Sequence, residues 1–439
     1  MALTGTRTYV GFGFGAIQAG LFLHEAFGSG AFRRLVVAEV LPDVVTTLRG
    51  AAGHFYVNIA CANRVEHAQV GPVEIECPAS EPDRQHLIEA IAEAEEIGTA
   101  IPSVKYYVSA GLGSLHRILA EGLRKKATCP GPRAVVYTAE NHNHAAEILE
   151  SNVLAEIPED EQSAVCSRVR FLNTVIGKMS GIIADPEEIQ TQELTPITPS
   201  ERRAFLVESF NRILISKIHF GETEGESPFR RGIQVFEEKD NLLPFEEAKL
   251  YGHNATHALA AYVGAVRGVQ HIADLSAIPG VIPFLRAAFI EESGKALVHK
   301  YAGRDPLFTK EGYSRYADDL LARMTNPYLH DSVERVSRDP ARKLGWDDRL
   351  IGTIRMALRE SVEPRRYAFG AAAALATMDR SILDRDMSAE ALLAPLWSGA
   401  SPEEHVKETV CDLVEDGLRK LRHWRAAGFP DPEHYFGNG

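Results

Sequence analysis

Three polar residues stand out in the segment Glu247 to Tyr262, whose periodicity predicts a helix: Lys249, Asn254 and His257. At about 100° per residue they fall within an arc of roughly 140°, and Asn254 and His257 are i, i+3 neighbours. One helix face thus offers a base, an amide donor and an imidazole. A lysine partly desolvated in a cleft loses enough basicity to take a proton from an alcohol, and carboxamide N–H groups stabilise the alkoxide that forms. This chemistry needs no metal. The same spacing also suits a lysine reaching to solvent above an asparagine and histidine that satisfy each other.

A second group lies near the start of the chain. Val10 to Gln18 contains the glycine-rich run Gly13-Phe14-Gly15-Ala16-Ile17 at the junction of an apolar run and a helical pattern. Such a turn lets backbone N–H groups approach a pyrophosphate and aims a helix N-terminus at its charge. Glu39 ends the next apolar run, 24 residues beyond Gly15. A carboxylate there accepts hydrogen bonds from ribose hydroxyls and repels a 2′-phosphate, which favours NAD over NADP. The dinucleotide pattern is irregular: its third glycine is Gln18 in one register and Ala16 in the other.

Two further clusters carry charge or donors. Arg335, Arg338, Arg342 and Lys343 put four cations within nine residues of a chain whose net charge is -13. Guanidinium forks suit phosphate oxygens, although Asp331, Glu334 and Asp347 lie close enough in sequence to pair with them. Glu140-Asn141-His142-Asn143-His144 has histidines two apart, which converge on one ion only from a strand, and no third ligand is evident nearby. We expect no metal.

The elements that must position these groups follow from pattern. Apolar runs at Thr8 to Phe12, Leu35 to Val40, Tyr106 to Ser109 and Ala134 to Thr138 predict strands, with Gln18 to Phe27 as an intervening helix. That rhythm predicts an α/β fold: an N-terminal Rossmann-like, doubly wound parallel-sheet domain over residues 1–185. Helical periodicity at Glu201 to Lys217, Pro244 to Arg267, Ile282 to Tyr301, Tyr313 to Met324, Leu350 to Met378 and His405 to Trp424 predicts a mainly α-helical domain over 186–439. The proline-bearing stretch Asp185 to Ser200 is the expected connection.

Bulk properties narrow the class. With 45% hydrophobic and 24% charged residues the chain suits a soluble globular protein, and its acidity without a basic stripe argues against nucleic acid. Five scattered cysteines without a C-x-x-C pair argue against a disulfide framework. The apolar stretch Tyr9 to Leu23 is broken by four glycines, and no run reaches the length of a membrane span. We expect a cytoplasmic protein without membrane partners.

The signature K-x-x-x-x-N-x-x-H, met by Lys249, Asn254 and His257, resembles that of the polyol-specific long-chain dehydrogenases. The turn Gly13-Phe14-Gly15-Ala16, without a third glycine, is similar to the family's G-F-G-A turn, and Ala139-Glu140-Asn141 resembles its strand end with an acidic residue followed by an asparagine. The resemblance implies metal-independent hydride transfer between NAD(H) and a polyol/ketose pair. In it Lys249 is the base, Asn141 and Asn254 hold the oxygen, and His257 orients substrate or lysine, in a cleft between the two domains. The blocks His257 to Gly264, Glu291 to Gly294 and Asn326 to Leu344 resemble most the members acting on mannitol 1-phosphate and fructose 6-phosphate. Members acting on free polyols resemble the last block less at Arg338 and Arg342, which makes these two the phosphate candidates. The chain departs from the family at Gly177-Lys178 and at Phe210-Asn-Arg-Ile213, where the sugar could be selected. A free polyol or a hexuronate is the alternative substrate, and a non-catalytic NAD(H) sensor on the same fold the alternative function. The small-molecule partner is a polyol or sugar phosphate, and the protein is expected to be a monomer or dimer.

Overall fold

Apolar runs such as Tyr9 to Phe12 and Ala134 to Thr138 are buried along their whole length, as strands covered on both faces must be. The computed structural model describes residues 3–129, 131–221, 228–385 and 387–436. Its strands are β1 (Arg7–Phe12), β2 (Phe32–Ala38), β3 (Phe55–Ala60), β4 (Val65–Val70), β5 (Glu74–Glu76), β6 (Glu96–Thr99), β7 (Ala134–Thr138), β8 (Val169–Val175), β9 (Ser180–Ile183), β10 (Ala204–Glu208), β11 (Ile213–Ser216) and β12 (Phe236–Lys239). Eight of them form one sheet in the order β12-β11-β8-β7-β6-β1-β2-β5. From β8 to β5 every pair is parallel, and β11 joins β8 antiparallel. Strand order reverses between β1 and β6, the topological switch at which α/β sheets bind ligands.

Each face of this sheet has its own core. Tyr9, Phe22, Phe32, Tyr137 and Phe236 lie on one side, and Val10, Phe12, Leu87, Ile118, Val136 and Leu149 on the other. A smaller sheet, β4-β3-β10-β9, shares the first core through Phe55, Phe205 and Val207. Gly20 allows this approach, since a Cβ there would lie 2.5 Å from Val207 Cγ1.

The chain divides into the compact units Met1–Leu243 and Pro244–Gly439. The sequence reading puts the boundary at 185/186. The difference arises because the expected helix Glu201 to Lys217 is instead β10 and β11, which with β12 complete the sheets of the first unit. AFLVE and ILIS are short apolar runs, and periodicity alone does not tell such runs from buried helix. Nor is Tyr106 to Ser109 a strand: Val104–Tyr106 is a 3-10 turn, and the strand of this region is the four-residue β6.

The second unit is helical among its described residues. The helix Arg365–Met378 is buried on nearly every side from Tyr367 to Ala376, as a helix apolar all round must be. It packs against Ala255–Arg267 and Glu404–Ala426. The expected helix Leu350 to Met378 is two, Ile351–Arg359 and Arg365–Met378, parted at Pro364. The last sixty residues thus have a structural task. Val410, Val414, Leu418, Leu421 and Trp424 form the buried stripe of Glu404–Ala426, and Gly417 passes so close that a Cβ would lie 2.7 Å from the Ala368 carbonyl oxygen.

Candidate active site

The first unit holds a cavity of about 630 Å³ lined by Gly13, Phe14, Gly15, Ala16, Ile17 and Glu39, together with Val40, Leu41, Ile101, Pro102 and Ala139. These follow the C-terminal ends of β1, β2, β6 and β7, at the switch point. Gly13 has φ +83°, a left-handed conformation, and a Cβ there would lie 2.8 Å from the Ala100 carbonyl oxygen. The Gly15 Cβ direction is open. Glu39 is 7% exposed and accepts backbone N–H bonds from Phe14 (2.8 Å, Oε2) and Leu41 (2.9 Å, Oε1). Each oxygen keeps a lone pair for a further donor. An open glycine turn, apolar walls and an anchored carboxylate fit the diphosphate, adenine and ribose of NAD.

The irregular glycine pattern has a physical reason. Gln18, in the third glycine's place, turns inward and donates from Nε2 to Tyr9 Oη at 2.8 Å. It fills the space above Gly11, where a Cβ would lie 2.1 Å from its Nε2. Gln18–Leu23 is a π-helical segment pinned to β1 by this bond.

The Glu140 carboxyl accepts from Ile101 N (2.9 Å), Thr99 Oγ1 (2.8 Å) and Tyr107 Oη. Burial pushes Glu140 above the usual carboxylate range. It ties the cavity-lining loop at Ile101 to the end of β7, beside the exposed Asn141. The sequence offers Glu140 as the residue before the asparagine and as a weak metal-ligand candidate, not as this tie. Among the described residues no group of three His, Cys, Asp or Glu side chains is placed to hold a metal ion.

In the second unit, Lys249 and Asn254 lie in a π-helical segment, Ala248–Asn254, which continues into the α-helix Ala255–Arg267. This corrects the arc expected from α-helical spacing. In π geometry the i→i+5 bond makes residues five apart neighbours on successive turns, which brings Asn254 toward the face of Lys249. Gly252 makes room: a Cβ there would lie 2.5 Å from Tyr313 Oη. Burial lowers the Lys249 pKa to about 8; Arg349 adds to the shift and Glu246 opposes it.

His257 Nε2 lies 2.8 Å from Asp331 Oδ2. The other oxygen of Asp331 accepts from Arg335 Nε at 3.0 Å and from its Nη2. Burial would raise the Asp331 pKa, but His257 and Arg335 hold it below the usual range. Asp331 thus touches two cationic or titratable side chains at once, a position its place four residues before Arg335 only hints at.

The cationic block is not uniformly available. Arg342 is held between Asp339 (2.8 Å) and Asp348 (3.0 Å), and Lys343 is buried with its ammonium donating to the carbonyls of Val336 and Arg338. Arg338 is exposed and, among the described residues, meets only the Arg335 carbonyl oxygen, at 3.4 Å. Arg349 was not anticipated. Its Nε donates to Asp348 at 2.9 Å, and neither terminal nitrogen has a hydrogen-bond partner among the described residues. The Thr353 hydroxyl, bonded to the carbonyls of both Arg349 (2.5 Å) and Tyr251 (3.2 Å), ties it to the Lys249 segment.

The two departures from the family pattern are one feature. Lys178 Nζ donates to Glu208 O (2.5 Å), Phe210 O (3.0 Å) and Asn211 Oδ1 (2.6 Å). The lysine is buried and bonded to the second altered segment, which makes it a structural tie.

The profile of the mannitol dehydrogenase C-terminal domain matches residues 241–423. A mannitol-1-phosphate 5-dehydrogenase of Bacillus licheniformis is 30% identical over 342 residues, 78% of this chain and 80% of the relative. Two solved structures share the fold at 14% identity. A D-sorbitol dehydrogenase in substrate-free form has TM-score 0.73, covering 98% of this chain and 95% of its own. The Pseudomonas fluorescens mannitol 2-dehydrogenase, in ternary complex with NAD and D-mannitol, has TM-score 0.68, covering 98% and 96%. Among the described residues no helix is long and apolar enough to cross a membrane. The identity and coverage of the Bacillus relative assign the family: the chain belongs to the mannitol dehydrogenase family, the NAD-dependent polyol dehydrogenases that act on a CH–OH group.

Proposed function

We propose that the protein interconverts a hexitol phosphate and the matching ketose phosphate, with mannitol 1-phosphate and fructose 6-phosphate as the pair. The observation that carries the phosphate is a pair of second-unit arginines with guanidinium nitrogens to spare, one of which, Arg349, acts on Lys249. Among the described residues, Arg338 and the terminal nitrogens of Arg349 have no carboxylate partner, while Arg342 is spent on Asp339 and Asp348. Two forked cations suit a dianionic group. The relative acting on mannitol 1-phosphate supports the same reading.

Lys249, with its pKa lowered to about 8, takes the hydroxyl proton during oxidation and returns it during ketose reduction. Asn254, one π turn away, donates to the oxygen as its charge grows, and Asn141 shares that task by its motif. His257 is held by Asp331 and directs its other ring nitrogen away from that carboxylate, so it orients a substrate hydroxyl. The glycine turn at 13–17 and Glu39 would hold NAD, which would supply the hydride acceptor.

The test is NADH consumption with fructose 6-phosphate and, in parallel, free fructose and hexuronates. Preference for the phosphate, lost on Arg338→Gln, supports the reading. A preference for free fructose or a hexuronate transfers the assignment to that substrate, and NADH binding without turnover on any of them leaves a sensor.

A further inference from the structure

The dinucleotide cavity contains a second carboxylate and an arginine with no part in the scheme above. Glu201 and Arg203 line it together with Glu39. Arg203 Nη2 donates to Glu201 Oε2 at 2.7 Å and its Nε to Oε1 at 3.2 Å, so one carboxylate occupies the Nε/Nη2 edge of the guanidinium side-on. Glu201 does not swing to make this pair. Its Oε1 also accepts the backbone N–H of Arg202 (2.9 Å) and Arg203 (3.3 Å), which fixes the carboxylate on its own loop just before β10. The Glu201 side chain is 16% exposed, so solvent screens the pair only in part. The charge of Arg203 is favoured by Glu201 first and, more weakly, by Glu39.

This arrangement bears on the choice between NAD and NADP. A guanidinium is the group best shaped to receive a 2′-phosphate, and one stands in the cavity that holds the ribose carboxylate. We propose that Glu201 is a second determinant of cofactor choice: by occupying the Nε/Nη2 edge of Arg203 and compensating its charge, it weakens that arginine as a site for the 2′-phosphate of NADP. Glu39 and Glu201 then exclude NADP by different routes. The first repels a 2′-phosphate and bonds the ribose; the second withholds the cation that would offset the repulsion. The two carboxylates are therefore coupled, and removing either alone recovers little.

The experiment is a fluorescence titration of NADPH and NADH against the wild type, Glu39→Gln, Glu201→Gln, the double variant, and the double variant with Arg203→Met. Thermal melting checks each fold. If a glutamine at 201 lowers the melting temperature steeply, Glu201→Ala replaces it and is read in the same way. Each single variant is expected to tighten NADPH binding less than about threefold, and the double variant by at least roughly tenfold, the scale of one charge-assisted fork. Adding Arg203→Met should abolish the gain. The proposal is overturned if Glu39→Gln alone matches the double variant, or if the gain survives Arg203→Met. Because the readout is binding, it stands apart from the identity of the sugar.

Discussion

Two π-helical segments of the second unit, Ala248–Asn254 and Ala288–Gly294, pack against each other, yet only one carries groups suited to chemistry. Both rely on a glycine against the Tyr313 ring. A Cβ at Gly252 would lie 2.5 Å from Tyr313 Oη and 2.9 Å from Phe289 Cε2; one at Gly294 would lie 2.6 Å from Tyr313 Cδ1. In the second segment the protein satisfies the polar groups itself. Glu292 accepts from the backbone N–H of Arg366 (2.8 Å) and Tyr367 (3.1 Å), and Ser293 Oγ lies 3.0 Å from Tyr367 Oη. In the first, Lys249 is enclosed enough to be shifted to about 8 while Arg349 adds positive field. A π turn offsets side chains from the α-helical rows; the neighbours then decide between a site and a structural joint.

The largest effect that would break this contrast is loss of the proposed base. Lys249→Ala should lower kcat by about 10²–10⁴-fold while NADH binding, made by the other unit, persists. Ser293→Ala, in the second segment, should leave kcat within a few-fold. Equal losses from both would mean that the lysine acts through packing. Gly252→Ala comes next: forcing Tyr313 and Phe289 aside should cost about 1–3 kcal/mol of stability, measured by denaturant midpoint. An unchanged midpoint would show that the shared Tyr313 ring does not set the spacing of the two segments.

Much of the candidate site is legible because spacing survives the fold. Lys249, Asn254 and His257 stand out by type and interval, and the Gly13 turn with Glu39 by position. The π geometry was not legible, since one widened turn leaves no periodic trace in a helix that continues on both sides. Arg349 escaped for another reason: it lies six residues past the dense cationic block and follows Asp347-Asp348, so it looks like a neutralised surface charge. Arg342 looked available for the converse reason, because its pairing with Asp348 depends on a turn. In the first unit, β10 and β11 were hidden in a stretch whose apolar residues fit both periods.

Arg349→Gln sharpens the comparison by removing the field that only the first segment feels. Loss of a neighbouring positive charge makes Lys249 easier to protonate, so its pKa rises from about 8. Oxidation needs the free amine, and reduction the ammonium. The rising limb of kcat/KM for oxidation and the falling limb for reduction should therefore both move to higher pH, by up to about one unit. Limbs that stay in place would leave burial as the cause of the shift.

The smallest effect concerns the hydroxyl that joins the two segments. Tyr367 Oη lies 2.7 Å from Thr256 Oγ1, in the helix that carries His257, and 3.0 Å from Ser293 Oγ in the second segment. All three side chains are buried, so removing the phenol hydroxyl leaves two alcohols short of a partner. Tyr367→Phe should cost about 1–2 kcal/mol, less than a cavity-forming change because the ring remains. Thr256 can still turn its hydroxyl to a backbone carbonyl within its own helix, which limits the loss. If the two π segments are separate in function, the cost appears in the denaturant midpoint while kcat and its pH limbs stay put. A shift of the Lys249 limb in Tyr367→Phe would instead mean that the second segment sets the position of the first, and the division between site and joint would fall.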